Sequence, residues 1–326
     1  MKKLIALILA LICVLYCPLT FSSCGIGGLK LTYEVNLVYN NGSDDEKIVV
    51  NKGNTFPTPS DPEKENYIFE GWYTDETFEQ KYDFSRAVTE DLTLYAKYKL
   101  DAAAVTNKIS QDTIRGVVKV YNKSYNSFLG IEIGSTTSQG SGFCFRIEDG
   151  CYYILTNCHV AVQNPSYDNQ ELWVEDYQGH AYRAYLYKNP DKSESAISPS
   201  YDLACLYFKT SSTNVKELSI VSTNPENNDD IISIGSPNQQ SNSITYGTVS
   251  NYKKITLSDE EAYSSNVTFE VIHHTAFIDN GSSGGPLLNA NLDVVGVNYA
   301  ATDDTVDSYA IPAEKVIEFL NSYVYD

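Results

Sequence analysis

The sequence predicts a mainly β protein, with one or two antiparallel barrels following a smaller β-rich domain. Three observations carry this. Short apolar runs rich in β-branched and aromatic residues recur along the chain, which has 26 tyrosines, and such residues suit the half-buried surface of a pleated sheet. Gly, Asn, Ser and Thr punctuate those runs, as tight turns require. From about residue 116 onward, twelve or so strand-like segments follow one another with no helical pattern between them. Serial short strands of this kind build barrels or sandwiches.

The chain opens MKKLIALILALICVLYCPLTFSSC, two lysines and then a run from Leu4 to Tyr16 without a charge. That run is short for a membrane span of about 20 residues and suits the apolar region of a signal peptide, about 7 to 15 residues long. Residues 1–23 are therefore expected to be an export signal. FSSC is similar to the lipobox of bacterial lipoproteins, with Phe21, Ser22 and Ser23 ahead of Cys24. Cys17 competes, but the bulky Tyr16 before it argues against cleavage there. The resemblance implies lipidation at Cys24 and a chain anchored to the membrane at the bacterial cell surface, since several acyl chains hold stably where one does not. Residues 24–32 then read as a flexible tether.

Residues 33–99 form the first folded unit. Alternation in YEVNLVY and EKIVV, separated by Asn-Gly and an acidic turn, predicts a hairpin, and LTLYAKY a closing strand. The marks YNNG, FEGWYTDETFEQKYDF and DLTLYAKY, with Gly71, Trp72 and Tyr73 the most distinctive, resemble the Listeria-Bacteroides (internalin-type B) repeat. That resemblance implies a surface or secreted bacterial protein and a β-grasp-like fold for this domain. Trp72 reads as a core residue rather than a ligand platform. Residues 100–111, DAAAVTNKISQDTI in their setting, are alanine-rich and predict a linker or short helix.

Residues 112–326 hold the serial strands: GVVKVYN, FLGIEIG, GFCFRIE, YYILTN, ELWVEDY, AYRAYLY, LACLYF, DIISIGS, SITYGTVS, VTFEVIHH, PLLNANLDVVGVNY and DSYAIP. Only the tail AEKVIEFLNSYV reads as helical there. Acidic side chains outnumber basic ones 42 to 23, a net charge of −19, which repels nucleic-acid phosphates and anionic headgroups. No nucleic-acid partner is expected. Beyond the signal and Cys24 the cysteines are Cys144, Cys151, Cys158 and Cys205. In an exported chain four could form two disulfides. Cys205, inside DLACLYF, reads instead as a core residue, and a Cys144 to Cys158 bridge is one open option. No Cys-x-x-Cys pair, HExxH or histidine cluster is present, so no metal or other cofactor is expected.

The stretch FIDNGSSGGPLLN, Phe277 to Asn289, sets Ser283 in a turn of glycines. So much glycine implies a backbone path that ordinary residues cannot follow, or one that something must approach closely. A serine hydroxyl is a poor nucleophile and needs a base, usually histidine, itself oriented by a third group. Of four histidines, His180 falls in a hairpin and His273 and His274 in a strand. His159 ends the strand of YYILTNCHV, where its ring can be exposed, and is the best base. Asp202, in SYDLACLYF, sits immediately before a buried strand and can reach inward. Gly281 permits a turn that aims the N–H groups of Gly281 and Ser283 at one point, where an oxyanion would form.

Each feature alone is commonplace. Together, GSGF (140–143), ILTNCHV, YDLACL, IGSP (234–237), TYGTVS (245–250), GSSGGPLLN, VVGVN (294–298) and YAIP (309–312) resemble the trypsin-like serine proteases, in particular the bacterial high-temperature-requirement branch. The resemblance covers about residues 112–320 in the family's order. It implies two six-stranded β-barrels of chymotrypsin type with a C-terminal helix. Between them it places His159, Asp202 and Ser283 as a triad, with an oxyanion hole at Gly281 and Ser283. Protein or peptide substrates follow, and Phe277, Ile278, Asn298 and Tyr299 would help line the specificity pocket. Small or medium apolar side chains are the expected preference, with Asp279 the one nearby acid.

Two departures from that pattern matter. Ser282 stands where digestive members carry the aspartate that pairs with a freshly cut N-terminus, so activation by such a cut is not expected. Cys158 precedes the base, where asparagine or alanine is common, and reads as buried packing. The stretch after Tyr309 is too short for the peptide-binding PDZ domain that often follows, so none is expected. The rival reading is a catalytically inert trypsin-fold surface protein whose repeat domain does the binding.

Overall fold

The computed structural model describes residues 30–211, 214–236, 242–255, 264–301 and 307–325. The expected signal peptide and Cys24 lie outside the described residues. The chain divides into two compact units, one ending at Lys97 and the other comprising Glu63–Phe69 with Tyr98–Asp326. Strands β1 (Thr32–Val38), β2 (Glu46–Asn51), β3 (Tyr67–Tyr73) and β4 (Leu92–Leu100), which lie in the first unit except for the start of β3 and the end of β4, form one sheet in the order β2-β1-β4-β3. β1 and β2 make the antiparallel hairpin read from the alternation, while β1 and β4 run parallel. Val35, Leu37, Leu94 and Ala96 are buried from these strands, and Trp72 is 2% exposed with Tyr39 edge-on to its ring. The tryptophan is a core residue.

The second unit starts with helix α1 (Ala102–Gln111). The Asp101 carboxylate caps it by accepting the Ala104 N–H at 3.0 Å, and Val105 and Ile109, one turn apart, are buried. Alanine propensity, given a cap and an apolar stripe, resolves the linker as helix.

The first barrel is built from β5 (Val117–Phe128), β6 (Ile131–Glu148), β7 (Cys151–Thr156), β8 (Asn169–Glu175), β9 (Ala181–Leu186) and β11 (Leu203–Lys209). The strands neighbour one another in the order β11-β7-β6-β5-β8-β9, and β9 returns to β11 with Leu186 opposite Leu206, which closes the ring; the short β10 (Ile197–Ser198) flanks β11. Val118, Val120, Leu172, Val174, Leu206 and Phe208 fill its core at every second position, the period that turns alternate side chains to one face. The second barrel closes in the order β12 (Asp230–Gly235), β13 (Ser243–Lys253), β14 (Val271–His274), β17 (Ser308–Pro312), β16 (Val294–Ala301) and β15 (Pro286–Asn289). A terminal helix, α3 (Ala313–Tyr323), buries Val316, Phe319 and Leu320 in a cluster that also contains Phe143 and Leu155 of the first barrel and Val297 and Ile311 of the second. The two six-stranded barrels and the C-terminal helix are thus as expected.

One stretch departs from the strand reading. FLGIEIG is not a strand but the tip of a hairpin, and its second half runs on with GFCFRIE as the single 18-residue β6. Leu129 (φ 52°) and Gly130 (φ 79°) form the two-residue loop, and two successive positive φ values match a type I′ turn. A leucine in that conformation lacks the usual Asn-Gly signature, so the turn left no local signal. All four described cysteines are free and buried. Cys144 and Cys158 are not bridged, Cys205 is interior as read, and burial pushes the Cys144 thiol up to about 12, so it stays protonated.

Candidate active site

Ser283 sits in the loop joining β14 to β15, which Gly281 (φ 99°) and Gly284 (φ 85°) turn through the left-handed region. The loop is held from within: Ser282 N–H donates to the Asp279 carbonyl at 2.8 Å, Gly285 N–H to the Ser282 carbonyl at 3.0 Å, and Asn280 N–H to Asp279 Oδ1 at 2.7 Å. β16 holds it from behind, with Gly284 N–H on the Asn298 carbonyl and Asn298 N–H on the Gly285 carbonyl, both at 2.9 Å. The first barrel holds it through Ser141 of β6. Its N–H donates to the Ser283 carbonyl and its hydroxyl to the Gly281 carbonyl, each at 2.7 Å, while the hydroxyl accepts the Ser236 N–H at 2.9 Å. A Cβ on Gly284 would lie 2.2 Å from the Ser141 carbonyl oxygen, so the position is closed to any side chain.

The consequence is selective. Asn280, Ser282, Gly284 and Gly285 all spend their N–H groups inside this network, whereas those of Gly281 and Ser283 have no acceptor among the described residues. These are the two donors the sequence nominated.

His159 lies in a four-residue helix, α2 (Cys158–Ala161), which the chain enters directly after β7 and Asn157. Its backbone N–H donates to Asp202 Oδ1 at 2.9 Å and its ring Nδ1 to Oδ2 at 2.7 Å. A carboxylate only accepts, so the ring proton sits on Nδ1 and Nε2 is left as the lone-pair nitrogen. Asp202 is fully buried, and its φ of 48° is unusual for a residue with a side chain; Asp tolerates that region better than most. Its carbonyl accepts the Asn157 amide at 2.9 Å and its N–H donates to the Pro199 carbonyl at 3.1 Å, which hold the strained conformation. Burial pushes its carboxyl above the usual range, while His159, by charge and two hydrogen bonds, and the Ser265 hydroxyl pull it back.

His159 and Ser283 open onto one cleft of about 480 Å³, lined also by Ile278, Tyr299, Ala300 and Ala301. Among the described residues the Ser283 hydroxyl makes only a long contact, 3.5 Å, to the Tyr299 carbonyl, so little there holds it in place. Asp279 lies at this cleft and already accepts the Asn280 N–H. The other histidines are engaged elsewhere: His180 with Asp176 at 3.2 Å, His273 with Asp307 at 2.7 Å, and His274 buried in the second barrel. Cys158 is buried, and desolvation with the nearby Asp202 charge raises its thiol pKa, which leaves it a packing residue.

Two of the expected pocket residues are corrected. Asn298 and Tyr299 are neighbours on β16, and successive strand residues face opposite ways; Asn298 turns into the barrel, where its amide donates to Ser233 Oγ at 2.9 Å. Phe277, in the loop before Ser283, is 54% exposed and is not among the residues that line the cleft, whereas Ile278 beside it is buried and lines it.

Residues 140–297 match a trypsin-like peptidase domain. The repeat read at the N-terminal side is matched as well, with residues 33–97 fitting the Listeria-Bacteroides repeat domain. Serine protease HTRA4 of Mus musculus is 29% identical over 225 residues, 68% of this chain and 40% of that protein. The mitochondrial serine protease HTRA2 of Bos taurus is 30% identical over 213 residues, 65% of this chain and 42% of that protein. The chain thus spans about two fifths of the length of these curated relatives. In fold, it is similar to the crystal structure of the Rv3671c protease of M. tuberculosis in its active form, with a TM-score of 0.53, 21% identity, and 69% of this chain and 88% of that one covered.

Three residues of this trypsin-like domain serve the site without having been singled out. Ser141 was visible only as a serine between glycines in GSGF, Asn157 only as the residue after a strand, and Ser265 carried no local signal. Each acts on a partner 45 to 140 positions away, as Asn157 does on Asp202 and Ser141 on Gly281. Among the described residues no helix is long and apolar enough to cross a membrane.

Proposed function

We propose that this chain is a serine endopeptidase of the HtrA type, hydrolysing peptide bonds of protein or peptide substrates through an acyl-enzyme on Ser283. The observation that carries the reading is that the His159–Asp202 pair and Ser283 open onto one cleft beside the two unspent N–H groups of Gly281 and Ser283. His159 Nε2 takes the Ser283 proton as Oγ attacks the scissile carbonyl carbon. The oxyanion settles on the two N–H groups, which need no reorganisation to meet it. Collapse breaks the C–N bond as imidazolium returns the proton to the leaving amine, and water repeats the cycle on the ester. Asp202 holds the ring in the required tautomer and stabilises its cation. A fluorophosphonate probe tests this: the folded wild type should label and Ser283→Ala should not. Failure of the folded wild type to label would favour an inert trypsin-fold binding protein.

The same chain is read as a surface protein. An apolar leader, a lipobox-like FSSC and a repeat domain of surface-associated type together support export and a lipid anchor at Cys24. Mass spectrometry of the mature protein should find its N-terminus at a di- or triacylated Cys24, and an unmodified cysteine there ends the lipoprotein reading.

A further inference from the structure

Four of the ten large hydrophobic side chains exposed among the described residues stand together at the tip of the β5–β6 hairpin. Phe128, Leu129, Ile131 and Ile133 are each between 65% and 87% exposed. Exposed apolar residues scattered singly are ordinary, but a contiguous set marks a contact surface. The tip also projects. β8 pairs with β5 only as far as Tyr125 and β7 with β6 only from Phe143, so residues 127–134 form a two-stranded ribbon with no third strand among the described residues. From Tyr125 to Leu129 the ribbon extends about 13 Å beyond its last pairing with β8.

Charge is nearly absent from this end of the molecule. Between Lys123 and Arg146 the only charged side chain is Glu132, and Lys123 neutralises it at 2.5 Å. Phe128 and Ile131 stand directly opposite each other and so share one face of the ribbon, while Glu132, one step along, turns the other way. Behind the apolar tip comes a band of uncharged polar residues, Ser124, Asn126 and Ser127 on β5 and Ser135, Thr136 and Thr137 on β6. Tyr125 stands in this band, with the Lys123 ammonium 5.3 Å from its ring centre. An apolar tip, then a tyrosine, then a lysine is the order in depth of a membrane interface, where tyrosine sits at the headgroups and a lysine stem carries its charge to water.

We infer that the tip of the β5–β6 hairpin dips into the lipid bilayer through Phe128, Leu129, Ile131 and Ile133, as a second membrane contact besides the acylated Cys24. The inference rests on the lipoprotein reading, by which the chain before residue 30 ends in acyl chains held in that bilayer. A protein partner is the poorer fit, since a specific interface takes about 800 Å² from each side, more than four side chains at the end of a ribbon supply. Lipid needs no shaped pocket to receive a convex apolar point, and a reach of about 13 Å covers the roughly 5–10 Å that interfacial segments bury. The net charge of −19 repels anionic headgroups, so the contact is apolar rather than electrostatic. The anchor supplies the local concentration that so small a contact lacks. β6 runs on from the tip to Ser141, which binds the nucleophile loop, so a seated tip also holds the cleft over the membrane surface.

The test uses the acylated protein in phosphatidylcholine vesicles. The four described cysteines are buried and the lipid blocks Cys24, so Leu129→Cys provides one thiol for an environment-sensitive fluorophore. Ser322→Cys, at an exposed position of the terminal helix, carries the reference label. Lipids bearing a nitroxide high on the acyl chain should quench the label at 129 on the order of threefold more than the label at 322, and a water-soluble quencher should do the reverse. Adding Phe128→Ser and Ile131→Ser should return the label at 129 to water without changing the circular dichroism. Protein that floats with the vesicles while its label at 129 stays wet overturns the inference and leaves the anchor standing. Shielding that grows with protein density, without nitroxide quenching, means that a second copy covers the tip and overturns it too. Protein that does not float, with Cys24 unmodified, overturns the lipoprotein reading and the second contact with it.

Discussion

Asp202→Asn is expected to lower kcat on a peptide substrate by about four orders of magnitude while leaving the protein folded. Oδ1 accepts the His159 backbone N–H and Oδ2 accepts the ring Nδ1–H. An asparagine can keep only one of these acceptors. The backbone donor cannot change its nature, so the amide oxygen stays with it and the amide nitrogen faces the ring. The ring must then accept at Nδ1, which moves its proton to Nε2, the atom that should receive hydrogen from Ser283. The side chain has the same shape, so packing around the fully buried position is little disturbed. Steady-state kinetics with circular dichroism checks it, and a folded variant losing less than tenfold would mean that Asp202 does not set the tautomer.

Stability should fall steeply in mild acid because of His274. It is fully buried in β14, and desolvation, helped by neighbouring His273, pushes its pKa down to about 3 from an ordinary 6.5. Between those values the unfolded chain binds a proton that the folded one does not, so stability is whole above about pH 6.5 and declines as pH drops toward 3. The slope is about 1.4 kcal/mol per pH unit, or about 3 kcal/mol lost by pH 4.3. Urea unfolding of wild type and His274→Leu at several pH values isolates this term from the carboxylates, which both proteins share. Parallel pH slopes in the two would show that His274 does not contribute.

The strand segments were legible because burial on a pleated sheet imposes a period of two on the sequence, and the three proposed chemical residues were legible because each has a local mark. His159 ends a strand, Asp202 precedes a buried one, and Ser283 sits among glycines whose positive φ at 281 and 284 the composition announces. Phe277 and Asn298 were misread because nearness in sequence to Ser283 says nothing about which face a side chain takes. A one-residue step on a strand reverses it, and only the register of β16 shows that Tyr299, not Asn298, meets the cleft. The turn at Leu129 and Gly130 was hidden because a leucine there obeys the pairing of β5 with β6 rather than its own preference.

By itself, then, the sequence determined the class of fold, the likeness of its two parts to known domains, and the residues with chemistry to offer, since these depend on patterns within ten or so positions. Tertiary structure alone decided which of them meet: that Asp202 binds both donors of His159, and that Ser141 reaches across 140 positions to orient Gly281. The reason is physical. Hydrogen bonds and close contacts between distant segments depend on strand register and barrel closure, and no short window of sequence encodes either.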